Sequence, residues 1–266
     1  MNILYINHYA GSPKYGMEYR PYYMAKKWHE KGHKVRILAA SYSHVRSVQP
    51  KISKKTSEMI DGIEYTWYPT PKYEQNGFAR VKNILTFLKE VWSDSKNIVK
   101  EFKPDIVIAS STYPMDIWIA QRISKLSNAK LIYEVHDLWP LSPIELGGMS
   151  PKHPFIQWCQ LAENTAYKKS DAVVSMLPKV HEHMKVHGLD LKKLHIIPNG
   201  IVEEEWQTSN LQNLADGKLK QFLEDMKQQG KFVVGYAGSH GQPNALQFLI
   251  EAAKMIEEIK KEIGTK

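Results

Sequence analysis

Short apolar runs alternate along the chain with longer segments in which apolar residues recur every three or four positions. The short runs predict buried β-strands, and the longer segments predict amphipathic α-helices. Strands that alternate with helices in this way favour βαβ units, in which parallel strands share one sheet. We therefore expect an α/β fold with a Rossmann-like, doubly wound parallel sheet.

The first part of the chain contains most of these elements. The predicted strands cover residues 3–7, 34–40, 63–68, 105–110, 131–135, 172–175 and 194–197. The predicted helices cover residues 19–31, 83–102, 116–127 and 155–168. Gly32 and Pro104 follow two of these helices, and both residue types favour a helix end. These elements predict one domain over residues 1–200.

The chain after Asn199-Gly200 begins a second unit. A polar connector over residues 201–230, with a short helix at 218–228, leads to an apolar run at 231–237 and a helical pattern at 244–261. This order predicts the first β-loop-α unit of another Rossmann-like domain. Such a domain needs about 100 residues or more. We therefore expect residues 231–266 to form only part of one.

The positive charge is concentrated in the first sixty residues, where eleven Lys and Arg face three Glu and no Asp. Within the loop at 41–56, four basic residues occur without an acid: Arg46, Lys51, Lys54 and Lys55. Such a loop attracts phosphates or an anionic membrane surface, although a solvated lysine-rich face is an equal alternative. Only five of the 36 basic residues are arginine, which disfavours nucleic-acid recognition.

Targeting and redox signals are few. The single cysteine, Cys159, excludes an internal disulfide and fits a reducing compartment. The N-terminus shows no secretory signal, and no apolar run is long enough to span a bilayer. These observations predict a cytoplasmic protein, with peripheral contact at the inner face of the membrane as a further expectation.

Three loops carry residues suited to ligand binding. The first follows the first strand and contains Gly11 and Gly16, which allow a close backbone approach to a ligand. It lacks the G-x-G-x-x-G pattern, and no acid ends the second strand, so an NAD site is disfavoured. A surface turn that needs glycine for its geometry is the alternative.

The second loop begins with His136-Asp137 at the end of a central strand, where side chains reach the ligand crevice. The pair could bind sugar hydroxyls, but a structural hydrogen bond is the more common role. The third loop, Gly238-Ser239-His240, suits a sugar phosphate or is an ordinary turn. The chain has no Asp-x-Asp, and the sequence suggests no metal-spaced cluster, so we expect neither a metal nor a cofactor.

Taken together, the motifs resemble those of the family-4 retaining glycosyltransferases, which have the GT-B fold. The similarity is greatest to a bacterial branch that transfers fucosamine-type sugars in surface polysaccharide synthesis. The matching segments are residues 7–10, 16–25 (GMEYRPYYMA), 40–46 (ASYSHVR), 136–140 (HDLWP), 197–201 (IPNGI) and 235–241 (GYAGSHG).

The resemblance implies that the first domain binds the acceptor and the second binds the nucleotide-sugar donor. His136 matches the catalytic histidine that contacts the donor sugar. The implied donor and phosphate contacts are Gly16, Gly238, Ser239 and His240, and the acceptor-side residues are Tyr15, Glu18, Arg20, His44 and Arg46. Ser239 and Gln242 stand where many relatives have basic residues, which puts phosphate binding by that loop in doubt. The resemblance implies that the family's paired-glutamate motif lies in a C-terminal portion beyond these 266 residues.

The resemblance thus predicts transfer from a nucleoside diphosphate sugar to a lipid-linked or polysaccharide acceptor, with retention of anomeric configuration. We expect the chain to be C-terminally truncated and inactive by itself. An alternative is the acceptor-binding subunit of a two-chain transferase. An unrelated Rossmann-type nucleotide binder is a third interpretation.

Overall fold

The central strands of the sheet in the first unit are short apolar runs whose side chains are buried on both faces. The computed structural model describes residues 1–74, 77–207, 217–238, 240–241 and 244–264. The chain divides into two units, Met1–Asn199 and Gly200–Lys266, and each is described by itself.

Eight strands form one sheet in the order β3-β4-β2-β1-β5-β6-β7-β8. They are β1 (Asn2–Ile6), β2 (Lys34–Ala40), β3 (Thr56–Ile60), β4 (Ile63–Tyr68), β5 (Ile106–Ala109), β6 (Lys130–Val135), β7 (Ala172–Ser175) and β8 (Leu194–Ile196). All neighbouring strands are parallel except β3 and β4, which form an antiparallel hairpin. The predicted doubly wound fold is confirmed, and the edge strand β3 is an addition to it.

Helices cover both faces of this sheet. They are α1 (Arg20–Glu30), α2 (Phe78–Phe102), α3 (Ile117–Ser127), α4 (Leu141–Glu145), α5 (Pro154–Lys169) and α6 (His181–Val186). Tyr5 shares one core with α1, and Leu4 shares the other with α2, α3 and α5. Neighbouring residues of β1 belong to different cores because side chains alternate across a strand.

The order of the strands determines where a ligand can bind. From β1 the chain builds outward through β2, and it then returns to place β5 on the other side of β1. The connections therefore diverge at the β1/β5 boundary. In an open α/β sheet, the crevice at the carboxyl ends of the strands beside such a switch point is the usual ligand site.

The second unit contains α7 (Lys218–Gln228) and α8 (Leu246–Gly264). The strand predicted at residues 231–237 is wrong, because the structure gives this segment no regular secondary structure and leaves its side chains exposed. A strand needs a neighbour to satisfy its backbone N–H and C=O groups, and no strand occurs in the described part of residues 200–266. Among the described helices, none is long and apolar enough to cross a membrane.

Candidate functional site

The crevice at the switch point is lined by residues that directly follow β1, β5 and β6. Asn7 follows β1, and its side-chain amide donates to the carbonyl oxygen of Ser110 at 2.6 Å and to the Ser110 hydroxyl at 3.3 Å. His136 follows β6, and its Nε2 lies 2.8 Å from Ser110 Oγ. Three parallel strands thus bring Asn7, Ser110 and His136 together, although 129 positions separate the first from the last.

Glu134 is the buried anion beneath this crevice and is only 3% exposed. Its Oε2 accepts hydrogen bonds from Ser110 Oγ at 2.7 Å and from the Tyr5 hydroxyl, and its Oε1 accepts from two nitrogens of Arg20 at 3.0 and 3.1 Å. Burial alone would raise the pKa of Glu134. The contacts with His136, Arg20 and Tyr5 outweigh burial and lower this pKa to about 2. The carboxylate is therefore ionised at neutral pH.

The orientation of the His136 ring follows from this anion. Ser110 has one hydroxyl proton, which it donates to Glu134, so its oxygen can accept a hydrogen from His136 Nε2. Nε2 also lies 3.3 Å from Glu134 Oε2. In a neutral ring with its proton on Nε2, Nδ1 would carry the lone pair, and in a charged ring it would carry the second proton.

The other ring nitrogen of His136, Nδ1, lies toward Glu18. The distance from Nδ1 to Glu18 Oε1 is 3.8 Å, too long for a hydrogen bond. The histidine side chain is 9% exposed and that of Glu18 is 32% exposed. Nδ1 and the Glu18 carboxylate can therefore both reach a hydroxyl group that enters between them. This arrangement suits recognition of a polyhydroxylated ligand.

Arg20, predicted on the acceptor side, has its donors committed within the protein. Besides Glu134, its guanidinium donates to the carbonyl oxygens of Ile197 at 2.8 Å and Pro198 at 3.2 Å, and to Asn199 Oδ1 at 3.0 Å. The side chain is only 5% exposed. Arg20 thus ties the segment after β8 to the buried carboxylate beneath His136, and this geometry assigns it a positioning role.

The glycines of the loop after β1 are required by close packing. Gly16 has φ +87°, and a Cβ there would lie 2.4 Å from Ser47 Oγ. A Cβ on Gly11 would lie 1.9 Å from the carbonyl oxygen of Gly16. Any larger residue would displace the loop that leads to Glu18. This steric requirement for glycine does not depend on ligand binding. The contact of Gly16 with donor phosphates stays a prediction.

Two further residues predicted on the acceptor side face the interior. Tyr15 donates from its hydroxyl to Glu58 Oε1 at 2.6 Å and is 7% exposed. Arg46 donates to the carbonyl oxygens of Ala10 at 2.8 Å and Ala40 at 2.6 Å, and burial lowers its pKa to about 10. Both side chains therefore shape the loops around the crevice from below, since their polar atoms already have partners inside the protein.

His44 lies at the surface beside the rings of Tyr42 and Tyr73. Its Nδ1 is 2.7 Å from the Tyr73 hydroxyl, and the Tyr42 hydroxyl donates to the Tyr73 carbonyl oxygen at 2.8 Å. Partial burial and the charge of Arg80 lower the pKa of His44. These contacts join the loop at 41–56 to the segment at 70–74.

A large apolar cavity lies at the start of α2. Two of its residues, Phe78 and Arg80, belong to the segment at 70–82 that the sequence predicts on the acceptor side at the membrane surface, but the cavity itself was not predicted. Its volume is about 850 Å³. Its lining residues include Phe78, Arg80, Ile84, Trp139 and Phe155. The Arg80 guanidinium lies 5.9 Å from the centre of the Trp139 ring. The HDLWP motif, which contributes both His136 and Trp139, was the available sequence signal.

Apart from Gly16, the predicted donor and phosphate contacts belong to the second unit. Gly238 and His240 are exposed, and the rings of His240 and Tyr236 lie 6.1 Å apart. Ser239 and Gln242 lie outside the described residues. The donor-phosphate contacts of Gly238, Ser239 and His240 stay predictions.

A metal-capable group of side chains also occurs in the described part of the chain, on α5 and at the end of α6. It consists of Glu163, His183 and His187. The sequence-based expectation that no metal-spaced cluster occurs is therefore wrong for these three residues. None of them is among the residues predicted for sugar transfer.

Comparison with solved structures finds several proteins that are similar to this chain at low sequence identity. The sucrose-phosphate synthase of Thermosynechococcus elongatus superposes with a TM-score of 0.55 and 11% identity, over 77% of this chain and 49% of that one. Anabaena HepE in complex with UDP has a TM-score of 0.44 and 15% identity, over 84% of this chain and 50% of that one. A Rickettsia africae glycosyltransferase has a TM-score of 0.46 and 16% identity, over 85% of this chain and 49% of that one.

The chain therefore spans about half the length of these solved structures. At such low identity the sucrose-phosphate synthase shows a shared fold, the Rossmann-like half of a GT-B enzyme. No curated protein gives a significant match. The family model for Glycosyltransferase Family 4 matches residues 15–205, which include Glu18, Glu134 and His136. Because that match covers most of the first unit and its crevice, the chain belongs to Glycosyltransferase Family 4.

Proposed function

We propose that the chain is the acceptor-binding part of a retaining glycosyltransferase that uses a nucleoside diphosphate sugar. The observation that supports this most directly is the fixed orientation of His136, whose Nε2 is held by Ser110 and Glu134 while Nδ1 remains beside Glu18. A polar group held in this way can stabilise a developing charge without reorganising during the reaction. The family histidine at this position contacts the sugar that is transferred.

The acceptor in this proposal is a lipid-linked precursor of a cell-surface polysaccharide. Its support is the cavity of about 850 Å³ beside the HDLWP segment, lined mainly by apolar and aromatic side chains. Arg80 at the cavity offers a positive charge to a phosphate, and Trp139 and Phe155 offer apolar surface to the lipid. A free, fully polar saccharide would leave that surface without a matching ligand.

Exposed basic residues of the loop at 41–56 and an exposed apolar residue at the start of α2 support contact with a membrane. Lys51 and Lys54 are exposed, whereas Lys55 pairs with Asp94 at 2.9 Å. Phe78 is 85% exposed at the rim of the cavity. Each lysine near an anionic leaflet contributes about 1 kcal/mol, and an exposed phenylalanine adds apolar burial in the headgroup region. The segment at 70–82 was also predicted to contact the membrane, and the structure describes its residues 70–74 and 77–82.

The acceptor site is tested by titrating the chain with a fluorescent polyprenyl-diphosphate sugar in detergent. Trp139→Leu removes an aromatic ring from the cavity and should weaken binding about tenfold. Trp92→Leu is the matched control, because Trp92 is 46% exposed and lies outside this cavity. Absence of binding by the unmodified chain, or equal affinity in both variants, would contradict the proposed acceptor.

A second candidate is a subunit that binds the acceptor while another polypeptide supplies the donor half. Apolar side chains exposed on α8, including Phe248 at 64% and Ile263 at 70%, favour an additional protein surface against this helix. The reading frame downstream of the gene distinguishes the two candidates. A separate gene for a donor half, whose product restores transfer when mixed with this chain, would support the two-chain enzyme.

A further inference from the structure

Two histidines and a buried carboxylate converge on the side of the domain formed by α5 and α6. Glu163 belongs to α5, whereas His183 belongs to α6 and His187 follows it as the C-cap residue. The backbone N–H of His187 donates to the carbonyl oxygen of His183 at 3.1 Å, so the helical turn continues through His187. Residues four positions apart on a helix lie on one face, and both imidazoles therefore approach Glu163 from the same direction.

The distances among these side chains are close to those of a metal site. One ligand atom from each of the three lies within 4.8 Å of the others, and His183 Nε2 lies 3.0 Å from Glu163 Oε1. The His183 and His187 rings are 4.5 Å apart. A tetrahedral zinc ion with bonds of about 2.0–2.1 Å holds its ligands about 3.3 Å apart. Small rotations of the side chains would bring the three ligand atoms to this spacing, and a water molecule would take the fourth tetrahedral position.

The amide nitrogen of Gln160 has more close neighbours at the cluster than it has hydrogens. It lies 2.7 Å from Glu163 Oε2, 2.9 Å from Asn164 Oδ1 and 2.9 Å from His187 Nδ1, which accepts a hydrogen bond only in the tautomer with its proton on Nε2. An amide nitrogen has only two hydrogens, so it cannot donate to all three atoms. A cation bound by Glu163 and His187 would remove this competition and leave Gln160 for Asn164.

Burial and ligand type further narrow the class of ion. The Glu163 side chain is 1% exposed and that of His183 is 18% exposed, so the carboxylate is enclosed while the histidines leave access from solvent. The Tyr167 hydroxyl donates to Glu163 Oε1 at 2.9 Å and orients the carboxylate, as outer partners of metal ligands do. Two imidazoles with one carboxylate suit zinc better than magnesium or calcium, which prefer oxygen ligands.

We propose that Glu163, His183 and His187 bind a divalent zinc ion, which links α5 to α6 away from the sugar-transfer crevice. The ion would close a loop that contains β7 and so stabilise the half of the sheet next to β8. Zinc at a hundredfold excess over its Kd would shift the ratio of folded to unfolded protein about 100-fold, or about 2.7 kcal/mol. This role is independent of the proposed transfer reaction.

The test is isothermal titration of the metal-free full chain with zinc chloride, followed by visible spectroscopy with cobalt. We expect one equivalent to bind, and His183→Gln, His187→Gln and Glu163→Gln each to weaken binding. Loss of a partner outside the ligand set typically costs 10–100-fold in affinity, so loss of a ligand should cost at least about 100-fold. Zinc should also raise the unfolding temperature of the unmodified chain but not of these variants.

His181→Gln is the matched control, because His181 is exposed on the same helix and is not part of the cluster. It should bind zinc as the unmodified chain does. Circular dichroism shows which variants fold, and if Glu163→Gln does not, the two partly exposed histidines decide the outcome. The proposal would be overturned if the unmodified chain bound no stoichiometric zinc, or if His183→Gln and His187→Gln bound zinc as tightly as the unmodified chain. The cluster would then be a set of hydrogen bonds only.

Discussion

The buried ion pair beneath His136 gives a quantitative prediction for Glu134→Gln. The Glu134 pKa of about 2, against an ordinary value of 4.5, corresponds to about 3 kcal/mol in favour of the folded state at neutral pH. The substitution also leaves the Arg20 guanidinium, 5% exposed, without its counter-charge. Removing one partner of a buried pair costs about 3–5 kcal/mol. We therefore expect Glu134→Gln to lower the free energy of unfolding by about 3–5 kcal/mol at pH 7.

The dependence on pH follows from the direction of the shift. Because folding lowers the pKa of Glu134, its contribution is fully present above about pH 4.5 and is lost as the pH falls toward 2. Other acids titrate in the same pH range. The informative quantity is therefore the difference in unfolding free energy between the unmodified chain and Glu134→Gln. That difference should shrink steadily below pH 4.5, since the carboxyl group of the unmodified chain then becomes neutral as well.

Urea unfolding between pH 3 and pH 7 measures this difference. Six of the seven tryptophans lie within residues 1–199, so intrinsic fluorescence reports mainly on the first unit. Glu30→Gln is the control, because Glu30 forms an exposed pair with Lys27, and such pairs contribute less than about 1 kcal/mol. Equal unfolding free energies for Glu134→Gln and the unmodified chain at pH 7, or parallel pH profiles, would refute the reasoning.

Three further predictions concern sugar transfer and the membrane. In a protein with a complete donor-binding half, His136→Ala should lower kcat with little loss of folding stability, because the contact is made in the transition state; an unchanged kcat, or a variant that does not fold, would assign the histidine a structural role. Replacing Lys51, Lys54 and Lys55 with Ser should reduce co-sedimentation with anionic liposomes at low salt, and equal binding would contradict membrane contact. The 266-residue chain alone should neither bind UDP- or GDP-sugars tightly by calorimetry nor transfer sugar, because catalysis needs both reactants held in one geometry; micromolar donor affinity would contradict this.

The sequence predicted strands and helices correctly where apolar residues form a continuous run or recur at a regular spacing along the chain. The central strands are continuous apolar runs, which is typical of strands covered by helices on both faces, and the amphipathic pattern around Phe87 and Val91 marked α2. The edge strand β3 was missed because its residues, TSEMI, are mostly polar and exposed. Residues 231–237 have a strand-like composition, yet the described part of their unit offers no neighbouring strand.

The candidate site could be anticipated only in part, for a related reason. The sequence placed His136 at the end of a strand, and that position alone put it in the crevice. It did not show that Glu134 would bind Arg20, since 114 positions separate these two residues. It also did not show that the polar atoms of Tyr15 and Arg46 would form hydrogen bonds within the protein. Local periodicity determines which residues are buried, whereas the order of strands in the sheet determines which distant residues meet, and only the tertiary structure decided that.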